Sequence, residues 1–193
     1  MPTPIADDIA NPLLQTWDEL DRWLVAEARE LARLRLEPET TAYVLHDGMT
    51  TLLIRTPPLC AADAEPIGAA LAHMIHPLRP DQVVVTYPAA TVLADGAPVD
   101  LMHAMAGQRG GTWRHVQVPL PYLRPHTGIA LTALPTPDPW TAPVHAVFED
   151  EAPPPPDLSK VHHTDAEFTV AVNPDGPAAG LASRWPSMAG GRG

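Results

Sequence analysis

Nine histidines, one cysteine and scattered carboxylates are the side chains with which this 193-residue chain could do chemistry. His73 and His76 stand at i, i+3 in a segment of helical periodicity, a spacing that can present two imidazoles to one metal ion. They fall about 140–240° around the wheel from the apolar stripe of that helix, so they are expected to face solvent, where a two-ligand site holds metal weakly. The run His162-His163-Thr164-Asp165 lies in the tail, and adjacent residues of an extended chain point apart. No metal or other cofactor is expected. Cys60 precedes a helix start, where a thiol pKa can be depressed, but a lone cysteine reads first as a small buried hydrophobe.

The inventory excludes more than it offers. No serine precedes Ser159 and no lysine precedes Lys160, so the region with core-forming patterns has neither a serine nucleophile nor a Schiff-base lysine. P-loop, GxGxxG, HExxH and EF-hand patterns are absent from the sequence. What remains for an enzyme is a pocket assembled from distant segments. Tyr87, Asp95, Asp100 and His103 are the candidates, because they follow the C-terminal end of an apolar strand. Asp100 and His103 would face one another if Asp100–Ala106 is a helix, and the pattern there fits a short helix or a strand equally.

These residues must be positioned by a central unit, Thr41–Tyr87. TAYVLH and MTTLLIR flank Asp47-Gly48, a pair that tolerates the positive φ angles of a tight hairpin turn. The second strand is apolar on both faces, which marks a central strand. A helix is predicted from Asp63 to Leu78, with Ile67, Leu71, Met74, Ile75 and Leu78 on its buried side. Val83-Val84-Val85 then reads as a strand covered on both faces, broken by Pro88. Upstream, Leu13, Trp17, Leu20, Leu24, Ala28 and Leu31 form the stripe of an amphipathic helix that ends before Pro38, with Trp23 beside the stripe and partly exposed. Downstream, Gly107–Gly111 reads as a flexible loop, and Thr112–Leu120, Gly128–Leu134 and Val144–Phe148 as strands.

The expected fold class is α+β: a mixed or antiparallel sheet with a hairpin-helix-strand core, two packing helices and an extended Pro-rich C-terminal arm. Residues 1–10 are a leader, 11–149 one domain and 150–193 the arm. The acidic proline stretch 149–156 is expected to hold the arm away from the domain in polyproline II, while Glu167–Val172 could add as a strand to a sheet edge, the chain's own or a partner's. The order helix, hairpin, helix, strand is similar to that of the JAMM/MPN metalloprotease core, a similarity of element order alone. That family places paired metal-binding histidines after the third strand. The matching stretch here, TYPAAT, has none, so the similarity would imply a non-catalytic relative at most.

Twelve basic against 23 acidic residues give a net charge of −11, which repels phosphate backbones and anionic lipid. Neither nucleic-acid nor membrane binding is expected. One cysteine permits no internal disulfide, the N-terminus carries no signal-peptide pattern, and a cytoplasmic protein is the expectation. The leading functional reading is a non-enzymatic structural or interaction component that binds another protein, or a second copy of itself, with Trp140, Phe168, Val170, Val172 and Trp185 as anchors. Two alternatives are a small Asp/His enzyme, with or without metal assistance, and an acidic inhibitor or immunity-type protein for a basic partner.

Overall fold

A computed structural model describes residues 3–4, 20–34, 36, 38–56, 64–92, 98–120, 140–157, 169–173 and 175–179. In chain order these contain β1 (Thr3–Pro4), α1 (Leu20–Leu34), β2 (Thr40–His46), β3 (Met49–Thr56) and α2 (Ala64–Ile75). Then come β4 (Gln82–Val92), β5 (Pro98–Gln108), β6 (Thr112–Pro119), α3 (Thr141–Ala146) and β7 (Thr169–Val172). The strands form one sheet in the order β1-β7-β3-β2-β4-β5-β6. Every pairing is antiparallel except that of β1 with β7. The fold is therefore α+β, with one described helix on one face of the sheet and two on the other. Among the described residues no helix is long and apolar enough to cross a membrane.

The hairpin forms as its turn residues dictate. Asp47 and Gly48 have φ of 50° and 75°, the doubly positive geometry of a type I′ turn. The register slips at Val44/Leu45, leaving Thr51 as a bulged residue on β3. Its hydroxyl contacts His46 Nδ1 at 2.8 Å, while His46 Nε2 donates to the Leu78 carbonyl at 2.9 Å, tying the hairpin to the end of α2. β3 lies between β2 and β7, and Leu52, Leu53 and Ile54 are buried on both of its faces.

Alternation divides the core into two layers. Ala42, Val44, Leu52, Ile54, Val83, Val85 and Tyr87 meet α2 and α3. Tyr43, Leu45, Leu53, Val84, Ala104, Val116 and Val118 meet α1. Trp23, expected at the margin, is 2% exposed and packs edge-on against Tyr43 with ring centroids 5.1 Å apart. Arg114 of β6 reaches across to Asp21 of α1 at 2.6 Å.

Several expectations are corrected. Pro88 does not break β4. The β2 ladder ends at Thr41↔Thr86, and beyond it no described strand pairs with that side of β4, where a proline nitrogen facing outward removes no ladder bond. Of the two forms open to Asp100–Ala106, the strand is the one adopted, as part of β5. Gly107 and Gln108 extend that strand, and only residues 109–111 turn. Val144–Phe148 is not a strand. Val144 to Ala146 belong to α3, whose Pro143 sits in the first turn, where the missing N–H has no intrahelical role. Leu13, Trp17, Cys60, Gly128–Leu134 and residues 158–168 lie outside the described residues.

Gly107 is needed for its lack of a side chain. It pairs with Trp113 of β6, and a Cβ there would lie 2.1 Å from the indole and 2.9 Å from the Phe148 ring. Trp113 also stacks on His145 at 3.6 Å, fastening α3 to the β5–β6 edge. Gly107→Ala forces this aromatic group to move, at a cost of about 1–3 kcal/mol for overpacking. A lower melting temperature and altered Trp113 fluorescence are the expected result. An unchanged melting temperature would mean that the indole does not lie over Gly107.

The start of the proline stretch is held to the domain, at the Glu149 and Pro153 carbonyls. α3 packs on α2, with Pro143 against Gly68, and the chain leaving α3 passes along α2. There His76 Nε2 donates to the Glu149 carbonyl at 3.0 Å and His73 Nδ1 to the Pro153 carbonyl at 2.9 Å. The two histidines expected to face solvent are half-buried and buried, because extended proline backbone leaves its carbonyls free to accept. β7 then pairs with β3 through Leu52–Arg55, so the sheet edge that Glu167–Val172 could join is, for Thr169–Val172, the chain's own.

Candidate functional site

The α1 face carries a cavity whose lining can be read from two periodicities. On α1, Glu27, Glu30, Leu31 and Leu34 follow i, i+3, i+4, i+7 and form one flank beside the core stripe. After the helix, Leu36 N–H donates to the Leu31 carbonyl at 3.0 Å and turns the chain toward β2. Glu39, Thr41 and Tyr43 then alternate onto the same face of the sheet. Thr41 pairs with Arg55 of β3 on one side and Thr86 of β4 on the other, and Met102 of β5 closes the far wall. These side chains enclose about 340 Å³, at the small end of the usual range for ligand sites.

The electrostatics are those of a crowded acidic site. Burial pushes the Glu27 carboxyl above its ordinary pKa; Arg55 pulls it down and Glu30 adds to the rise. Burial likewise pushes the Tyr43 phenol up, with Glu27 adding and Arg55 and a hydrogen bond with Thr86 opposing. Glu30 is held below its usual range by Arg33, whose Nε donates to it at 2.8 Å. A phenol pushed further from neutrality is a poorer proton donor, so Tyr43 suits binding better than acid catalysis.

Because folding raises the Glu27 pKa, the folded state holds that proton more tightly than the unfolded chain. Stability contributed by this residue rises as pH falls through its raised pKa and is lost above it. Glu27→Gln is therefore expected to raise the melting temperature at pH 7 and to flatten the pH dependence just above 4.5, the reference value for glutamate. A lower melting temperature at pH 7 would show that the carboxylate is well compensated where it lies.

The residues singled out for an enzyme lie elsewhere. Tyr87 and His103 are cross-strand partners on the α2 and α3 face, with rings stacked at 5.0 Å. His103 Nδ1 lies 3.1 Å from His115 Nε2, and Tyr87 also meets Trp140 at 5.8 Å. This group sits in the core, with His103 1% exposed, on the opposite side of the sheet from the cavity. Asp100 does not join it, since three residues along a strand reverse the face. Asp95 is outside the described residues. Among the described residues no three His, Cys, Asp or Glu side chains converge where a metal could sit.

The expected anchors are placed as follows. Trp140 is 2% exposed, and Val170 and Val172 are 9% and 6% exposed; all three belong to the chain's own core. Phe168 and Trp185 are outside the described residues. The cavity residues Glu27, Glu30, Glu39, Tyr43, Arg55 and Thr86 were missed by motif reasoning, because no motif contains them. Their signal was the second stripe on α1, which pairs carboxylates with leucines next to a polar-lined strand. No protein-family model, no curated protein and no solved structure matches this chain.

Proposed function

We propose that this chain is a non-enzymatic interaction component of a larger assembly, cytoplasmic, and that it binds a protein partner across the C-terminal half of α1 and the start of β2. One observation carries the reading. Leu34 and Leu36 are 46% and 50% exposed at the mouth of a cavity lined by three carboxylates. Single exposed leucines are ordinary, whereas two together beside a partly desolvated polar cavity have the makeup of an interface centre. The net charge of −11 favours a basic partner, and so also supports the acidic inhibitor reading. Salt separates the two: an inhibitor steered by charge loses association rate steeply with ionic strength, and an apolar assembly contact does not.

The test is recovery of the partner from the native host with the intact chain and with Leu34→Glu/Leu36→Glu. The double variant is expected to melt like the parent and to lose the partner by at least about tenfold, the effect of removing a small apolar centre. Undiminished recovery would place the interaction on another surface.

A further inference from the structure

We infer that the cavity between α1 and strands β2, β3 and β4 is a receptor for the guanidinium of an arginine side chain presented by the partner. This rests on the interaction reading above and names the chemistry that the site would take. The charge count comes first. Glu27, Glu30 and Glu39 line the cavity with Arg55 as the cation among them, and Glu30 is already engaged by Arg33. Among the described lining residues two carboxylates are then left beside one guanidinium, an excess of one negative charge that a single incoming cation would balance.

The shape of the lining then selects the cation. The carboxylates come from separate elements, α1 and the segment before β2, and do not converge as metal ligands do. A planar guanidinium with five fixed donors can serve spread acceptors, where an ammonium offers a point charge. Glu27, Glu39 and the hydroxyls of Thr41, Tyr43 and Thr86 are the acceptors available to it. Leu31, Leu34, Leu36 and Met102 line the remaining wall, suited to the methylene stem that such a side chain lays along apolar surface. The raised pKa of Glu27 fits this role: the fold holds a carboxylate where it is poorly solvated, and a cationic ligand would relieve that penalty.

The experiment uses the full chain and two probes, butylguanidinium and the uncharged isostere butylurea, followed by amide NMR. Butylguanidinium is expected to shift the resonances of Glu27, Glu39, Tyr43 and Arg55, and to bind at least tenfold tighter than butylurea. Glu27→Gln and Glu39→Gln are each expected to weaken it several-fold without lowering the melting temperature. Binding should also weaken as pH falls through the Glu27 pKa, with Glu30, Glu39, Arg33, Arg55 and Tyr43 as the other titratable or charged groups around it. Equal binding of both probes, or shifts confined to the exposed Glu30–Arg33 pair, would overturn the inference. Failure here is distinguishable from failure of the interaction reading. If Leu34→Glu/Leu36→Glu loses the partner while Glu27→Gln/Glu39→Gln retains it, the surface stands and the arginine receptor does not.

Discussion

A chain ended after Phe148 is expected to melt about 6–12 °C below the full-length protein, at 2–4 °C per kcal/mol for a domain of this size. The loss follows from β7. Val170 and Val172 are 9% and 6% exposed against Leu52 and Ile54, and burying two such side chains contributes about 3–6 kcal/mol, an upper bound because unfolded chains already bury some apolar surface. About 3 kcal/mol is a fair lower figure on the same basis. Truncation also turns β3 from a central strand into an edge, exposing the ladder groups of Leu52–Arg55 and inviting edge-to-edge aggregation. His73 and His76 lose their carbonyl partners as well, but water can replace those at the surface. The double substitution Val170→Ala/Val172→Ala should reproduce a good part of the drop without removing the proline stretch. A truncated protein that melts with the parent would show that β7 is not part of the sheet in solution, and would restore the picture of a separable arm.

Local chemistry was legible in the sequence and long-range register was not. Asp47-Gly48 declared the hairpin, because two positive φ angles in succession leave few residue choices. Leu52, Leu53 and Ile54 declared a strand buried on both faces, and Ile67, Leu71 and Ile75 declared the side of α2 that is buried. Pro88 misled because its effect depends on which side of β4 carries a neighbour, and that is fixed by the length of β2. Val144–Phe148 misled because six residues of helix carry too little periodicity to separate from alternation. His73 and His76 were expected to face solvent; His73 does lie away from the stripe of α2 and His76 just past its end, but a proline segment returns to cover both, which follows from the docking of α3. The cavity shows the same division. Each of its two stripes is visible in the sequence, at Glu27/Glu30/Leu31/Leu34 and at Glu39/Thr41/Tyr43, but their meeting over Arg55 and Thr86 is a product of strand order.

Leu53→Asp is expected to destabilise the fold by about 3–5 kcal/mol at neutral pH, the range found when a charge is left buried without a partner. Leu53 is 2% exposed, flanked across the sheet by Tyr43 and Ala171 and covered by α1. The nearby cation, Arg55, already faces Glu27, so a new carboxylate at 53 would compete for it rather than find it idle. Such a carboxylate takes up a proton in the folded state, which raises its folded pKa. The folded variant then binds more protons than the unfolded chain, so its deficit shrinks as pH falls through that raised value and is greatest above it. Leu53→Asn keeps the shape and removes the charge, and should lose less stability than Leu53→Asp at pH 7 while showing none of this pH dependence. Met49→Asp supplies the control on the same strand: Met49 is 60% exposed, and an aspartate there should change stability by no more than about 0.5 kcal/mol. Equal losses at 49 and 53, or a Leu53→Asp protein as stable as the parent, would mean that β3 is not the buried centre of the sheet on which both faces, and with them the cavity over Arg55, depend.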